Sequence, residues 1–296
     1  MTWEWHIGDP VDDATGGSMD AQNWGRRSDD DEDNNSTDYN NSKRDSYSKK
    51  AWDQYMDFKD EEALYYINLA LNLDNNNANN WNIKAIILES LKRFGESEEC
   101  YNKSLNLESD SRVSDNKTRM QYTWSSQLLE ESKKLPNGLD KLDEAMEKIT
   151  KAINARPGDN SEENLDKYLN MRDNINFYIN YEKEFQKNIK KIISYSKEEL
   201  FTIAGISYHK SNVELNPGMS LKLVKEPNNE FDSDAIAVYA EGEKIGYVAN
   251  GVNTKYELTS SASQLNDRIP DTSKGLYLCY LNRYSDIEFH IARIIR

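Results

Sequence analysis

The sequence predicts an α+β multidomain protein in which all-α helical repeats are followed by a small, mostly-β barrel. Three observations carry this. From Ser46 to Ser194 only Pro136 and Pro157 interrupt a chain whose apolar residues recur at helical spacing. Within that stretch one pattern returns after 34 residues, from Ala63 to Ser97. After Ser196 the apolar period changes from 3.6 to 2. The chain divides into an arm over 1–45, repeats over 46–160, a long helix or linker over 161–196 and a barrel over 197–296.

The arm is acidic. Residues 1–48 hold 12 acidic and 4 basic side chains, over half of the net charge of −15. The run Asp29 to Thr37 has no aliphatic residue, so the arm is expected to lack fixed structure, with Trp3, Trp5 and Trp24 anomalous in a segment of a kind usually poor in aromatics.

The repeats begin with Glu62-Ala63, Ile67 and Ala70 before Leu73. Glu96-Ser97, Tyr101 and Ser104 follow before Leu107, and a third copy, Glu144-Ala145, Ile149 and Ala152, ends near Pro157. The third copy lies 48 residues on, which predicts a longer leading helix around Met120–Lys134 or a longer turn after it. This pattern resembles the tetratricopeptide repeat, with Trp81 and Ala85 matching first-helix positions and Ser97, Ser104 and Ser109 standing where Ala, Ala and Pro are usual. The resemblance implies stacked helix pairs that bind a protein partner; a generic helical bundle is the alternative. Ser161 to Ser194 reads as one long helix, or two, closing the array, and its Lys187, Lys190 and Lys191 suit a helix C-terminus.

Six strands are expected in the last hundred residues: Leu200–Ile206, Met219–Lys225, Ala235–Ala240, Lys244–Val248, Gly275–Asn282 and Ile287–Ile295. A short helix falls within Lys255–Leu265. So many short strands favour a closed barrel, because closure removes exposed edges. The segments Leu200-Phe201-Thr202-Ile203-Ala204-Gly205, Glu226-Pro227-Asn228-Asn229-Glu230-Phe231-Asp232-Ser233-Asp234-Ala235-Ile236-Ala237-Val238 and Ile245-Gly246-Tyr247-Val248 resemble the HIRAN domain in order and spacing.

That resemblance implies a barrel of OB-like character that holds the 3′ end of single-stranded DNA. It places Tyr208 and Phe231 as stacking platforms and Asp232 as acceptor for the terminal hydroxyl, with Asn229, Tyr247 and His209 beside them. Ser207 stands where DNA-binding members have arginine, Asn250 where they tend to be basic, and Phe231 lacks a tyrosine hydroxyl. These departures thin the phosphate contacts; Lys210, Lys222, Lys225 and Lys255 are the cations available to compensate. The residues themselves leave a second reading open, in which Asn229-x-Phe231-Asp232 is only an Asx turn with Phe231 in the core.

Composition excludes other classes. Fifty-two acidic against 37 basic residues exclude a broad electrostatic DNA clamp. The mean hydropathy of −0.91 and the short aliphatic cluster Ile83–Leu88 exclude a membrane span, and no apolar leader follows Met1. Cys100 and Cys279 fit buried thiols in a reducing cytoplasm. His6, His209 and His290 have no metal-pair spacing, and no nucleophile motif or phosphate loop occurs. A nuclease or other hydrolase built on the Asp232/Asp234 pair is not expected. The expectation is a non-enzymatic cytoplasmic adaptor without cofactor. Its repeats hold a protein, and its barrel binds a single-stranded DNA 3′ end or another nucleic acid. The alternative is a scaffold whose barrel has lost DNA and binds only protein.

Overall fold

The computed structural model describes residues 29–155, 161–209, 212–282, 284 and 288–295. The helical half runs α1 (Asp29–Met56), α2 (Asp60–Leu73), α3 (Ala78–Ser90), α4 (Phe94–Leu107), α5 (Ser111–Ser132), α6 (Leu139–Asn154) and α7 (Ser161–Ile193). The first six form three antiparallel pairs stacked in chain order, and α7 packs on α6. Local chemistry sets their ends. Asp60, Glu61 and Glu62 occupy the first turn of α2, where the helix dipole favours anions. Asn77 and Asp110 cap α3 and α5 by accepting the backbone N–H of Asn80 and Arg112. The 34-residue echo extends to the backbone: Phe58 (φ 60°) and Lys92 (φ 58°) take the same left-handed conformation in the α1–α2 and α3–α4 turns.

The three copies bury the same positions. Ala63, Ile67 and Ala70 match Ser97, Tyr101 and Ser104, then Ala145, Ile149 and Ala152, and none exposes more than 1% of its surface. The two serines are satisfied across the helix pair: Ser97 Oγ donates to the Ala85 carbonyl and Ser104 Oγ to that of Ala78, each at 2.8 Å. A hydroxyl thus fits an alanine-sized site because a facing carbonyl accepts from it. The leading helix of the third pair, α5, has 22 residues against 13 in α3, and the turn after it is longer too, which together widen the spacing of that copy.

The arm expected to be without structure to residue 45 is corrected from Asp29 onward, where α1 begins. Its C-terminal half has a partner: Ala51 is fully buried, Tyr47 and Tyr55 pack into the same core, and Arg44 pairs with Asp74 at 2.9 Å. Once packing nucleates a helix, extending it costs little. Composition alone concealed this. Trp3, Trp5, Trp24 and Pro157 lie outside the described residues.

Six antiparallel strands follow: β1 (Leu200–Ala204), β2 (Ser220–Lys225), β3 (Ile236–Ala240), β4 (Glu243–Val248), β5 (Thr272–Leu281) and β6 (Phe289–Ile295). They close into a barrel in the order β1-β4-β3-β2-β5-β6, with the short helix α8 (Ala262–Asn266) between β4 and β5. Phe201, Leu223, Ile236, Val238 and Ala292 are fully buried inside it. In the β3–β4 pairing, Val238 faces Gly246 while Tyr239 faces Lys244, so Ile245 is an extra residue on β4. The bulge lets Lys244 and Tyr247, three apart, share the outer face. Gly246 is required beside it, since a Cβ there would lie 2.5 Å from the Ala204 carbonyl oxygen.

The two halves are joined through α7. Ile192 is fully buried with Leu200, Leu278, Cys279, Leu281 and Ile291. Beyond Tyr277, whose backbone still bonds Met219 and Gly218, β5 pairs only with β6, and its outer edge is met by side chains of α7. Tyr181 OH, Asn188 Nδ2 and Lys191 Nζ donate to the carbonyls of Asn282, Tyr280 and Leu278 at 2.6, 3.4 and 3.0 Å. A strand edge that would otherwise stay open is thereby closed.

Candidate nucleic-acid interface

The loop between β2 and β3 is held by its own side chains. Asn229 Oδ1 accepts the backbone N–H of Phe231 (3.0 Å) and of Asp232 (3.3 Å), an Asx turn, and Asp232 Oδ1 accepts that of Asp234 (2.9 Å). The amide nitrogen of Asn229 donates to Glu226 Oε2 at 3.0 Å and to Tyr247 OH at 3.4 Å, which anchors the turn to the barrel wall. Asp232 Oδ2 accepts from Asn250 Nδ2 at 2.9 Å, and Asn250 Oδ1 accepts from the backbone and hydroxyl of Ser263. The β2–β3 loop, the segment after β4 and the start of α8 are thus tied into one corner.

The turn aims Phe231 outward, with 95% of its surface exposed. The reading that places Phe231 in the core is corrected: the Asx turn exists, and it presents the ring. Tyr208, in the 3₁₀ turn Ile206–Tyr208 that follows left-handed Gly205, is 89% exposed. Its neighbour His209 lies with its ring 5.9 Å from that of Tyr247 at a 51° tilt. The six residues singled out from the sequence therefore divide by environment. Phe231 and Tyr208 offer free faces, His209 and Tyr247 form a ring pair, and Asn229 and Asp232 pin the loop.

Two residues of this corner were assigned no role from the sequence. Lys244 Nζ donates to Glu226 Oε1 at 2.7 Å and to Tyr247 OH at 2.6 Å, and Tyr247 OH donates to Glu226 Oε2 at 3.1 Å. Burial alone would raise the Glu226 carboxyl; hydrogen bonds from Lys244, Asn229 and Tyr247 outweigh it and hold the group below its usual range. Burial likewise opposes the charge on Lys244, and its bonds to Glu226 and Tyr247 prevail and raise it. Glu226 opens the signature run, so its fixed position was a readable signal; Lys244 reaches the corner only through the bulge.

The cations named as compensating do not converge here. Lys255 Nζ donates to the Thr259 carbonyl, Lys225 lies 4.0 Å from Asp271, Lys222 projects from β2, and Lys210 lies outside the described residues. Away from the corner, His290 bonds Tyr277 OH at 3.0 Å, and burial lowers its pKa. Both cysteines are buried, and burial pushes the Cys279 thiol up to about 11.

The helical half carries its own concavity, a groove of about 590 Å³ between α1, α3 and α5. Asn79, Asn82 and Asn116 line it beside Trp52, Ile83 and Val113, and Asn116 Nδ2 lies 3.4 Å from Asn82 Oδ1, its equivalent 34 residues earlier. Among the described residues no helix is long and apolar enough to cross a membrane.

Comparison with known proteins finds a family model that matches most of the corner's residues. The sequence model of the HIRAN domain matches residues 199–258, a span that includes all six residues singled out above. The helical half matches tetratricopeptide-repeat structures. The TPR domain of Arabidopsis OM64 is 15% identical with a TM-score of 0.33, covering 46% of this chain and 98% of that one. The second TPR domain of human RPAP3, solved with an HSP70 peptide, is 15% identical with a TM-score of 0.31, covering 46% and 98%. The Yersinia enterocolitica type III secretion translocator chaperone SycD is 14% identical with a TM-score of 0.33, covering 45% and 83%. No curated protein gave a significant match.

Proposed function

We propose that the protein is a non-enzymatic adaptor whose barrel holds the 3′ end of a single-stranded nucleic acid while its helical repeats hold a protein. The observation that carries the first half is Phe231: a large ring 95% exposed on a loop fixed by six side-chain hydrogen bonds. An exposed apolar ring on a rigid support has little ordering entropy left to lose on stacking. Tyr208 supplies a second face, and Asp232, held by Asn250, keeps lone pairs to accept a terminal hydroxyl. The same corner carries Glu226, Glu230, Asp232 and Asp234 against Lys244, so a terminal phosphate would be repelled. The asparagine-lined groove of the repeats supports the second half, because amide side chains both donate to and accept from an extended peptide backbone.

The test is a titration of the full chain with labelled single strands ending in a 3′ hydroxyl or a 3′ phosphate, at low and moderate salt. The expected result is tighter binding of the hydroxyl end, weakened by about 5- to 150-fold in Phe231→Ala, the range of a lost base–aromatic stack. Circular dichroism should be unchanged. Indifference to the 3′ group, or no binding at low salt, sinks the proposal. The tie between Lys244 and Glu226 favours a second reading, in which the barrel binds only protein; a well-folded chain that ignores every strand is its signature.

A further inference from the structure

The outer face of the barrel carries an arrangement that strand pairing alone would avoid. Lys222 on β2 stands directly opposite Lys274 on β5, and both are exposed. Like charges facing each other across an antiparallel pair destabilise the sheet. Neither lysine makes an ion pair or side-chain hydrogen bond among the described residues, although the chain holds 15 more acidic than basic side chains. Lys222 also faces Tyr239 on β3, which faces Lys244 on β4. One row therefore crosses four strands: Lys274, Lys222, Tyr239, Lys244.

The bulge at Ile245 makes this row continuous with the corner. It turns Lys244 to the outer face, where the ammonium touches Tyr247 and Glu226. Strand spacings of ~4.8 Å put Lys274 about 14 Å from Lys244 along the row. A groove of about 930 Å³ covers the Lys274–Lys222–Tyr239 part of the row, lined also by Ser220, Thr272 and Glu241.

We infer that the Tyr239–Lys222–Lys274 row is a second binding track, for the phosphate backbone of a single strand whose 3′ end occupies the Phe231 corner. This rests on the function proposed above, and it supplies the phosphate contacts that the corner lacks. Two unpaired ammonium groups and flanking hydroxyl donors match a polyanion. Tyr239 gives a ring at the point where the strand leaves the corner.

The test uses the full chain, a trinucleotide that fits the corner alone, and a twelve-nucleotide oligothymidylate with a 3′ hydroxyl or 3′ phosphate. In the double variant Lys222→Gln/Lys274→Gln the long strand should bind about tenfold more weakly at low salt. The slope of log K against log salt should fall by about 1.4, which is two phosphates at ~0.7 each. Trinucleotide binding should not change, and the melting temperature should hold or rise, because the repulsion between the two lysines is removed. Unaltered affinity and slope for the long strand overturn the track. A trinucleotide that shows no 3′ preference, with a lysine-dependent long strand, overturns the corner and leaves the track standing. Equal displacement of the long strand by polyglutamate overturns the nucleic-acid assignment and makes the occupant an acidic protein.

Discussion

Lys191 Nζ lies 3.0 Å from the carbonyl oxygen of Leu278, so the last full turn of α7 closes a ladder that begins at Tyr181 and covers the free edge of β5. Beneath it Ile192 is fully buried in the core that Cys279 shares. The repeats and the barrel are joined by packing as well as by chain. Ile192→Ala should cost about 2–5 kcal/mol by urea denaturation, the usual range for a large aliphatic deletion. It should also raise the rate at which a thiol reagent labels Cys279, leaving Cys100 in the α3–α4 core unaffected. Equal labelling of both cysteines would show that the interface is not a separate opening unit.

Ser97 tests how the degenerate repeats tolerate polar residues. Its hydroxyl donates to a carbonyl within α3, which the helix ladder also uses, so removing it leaves no orphaned group. Ser97→Ala should change stability by no more than about 1 kcal/mol, whereas Ser97→Leu should cost about 1–3 kcal/mol through overpacking of a fully buried site. Thermal denaturation of the two variants separates these outcomes.

What was legible in the sequence follows from the range of the interactions. The six strands were readable because alternation is local. The start of β5 at Thr272 rather than Gly275 was not, because it is set by pairing with Val224 on β2. Helix α1 was hidden because its support comes from burying Ala51 in the repeat core, while its own composition argues for disorder. The direction of Phe231 depends on Asn229, whose amide is held by Tyr247 from another strand. Lys222 was noticed as a cation, but its facing Lys274 is a fact of register between strands some 50 residues apart.

The Glu226 carboxyl gives the corner a pH signature. Its folded pKa lies below the usual value, so it contributes stability above its unfolded pKa of about 4.3, and that contribution is lost as pH falls through the folded value. Glu226→Gln should be about 1–2 kcal/mol less stable at pH 7, the worth of a partly exposed, charge-assisted hydrogen bond. The gap should close as pH drops below 4. Urea midpoints measured from pH 3 to 7 check this; a gap independent of pH would mean that the carboxylate charge is not what holds Lys244 and Tyr247.

Gly246 should be the least replaceable residue of the corner. A Cβ at this position would lie 2.5 Å from the Ala204 carbonyl oxygen and 3.2 Å from Ile203 Cγ2, and the first of these is backbone in the paired strand β1. The clash can be relieved only by separating β4 from β1, which would move Tyr247 away from Glu226 and loosen the anchor of Asn229. Gly246→Ala should therefore cost about 1–3 kcal/mol or more, and the preference for a 3′ hydroxyl should fall with it. Gly95, in α4, is the contrasting case: a Cβ there meets nothing within 4 Å. Gly95→Ala should raise stability by about 0.4–1 kcal/mol by restricting the unfolded chain, with strand binding unchanged. If Gly246→Ala melts like the wild type, the close approach of β1 and β4 does not set the geometry of the corner.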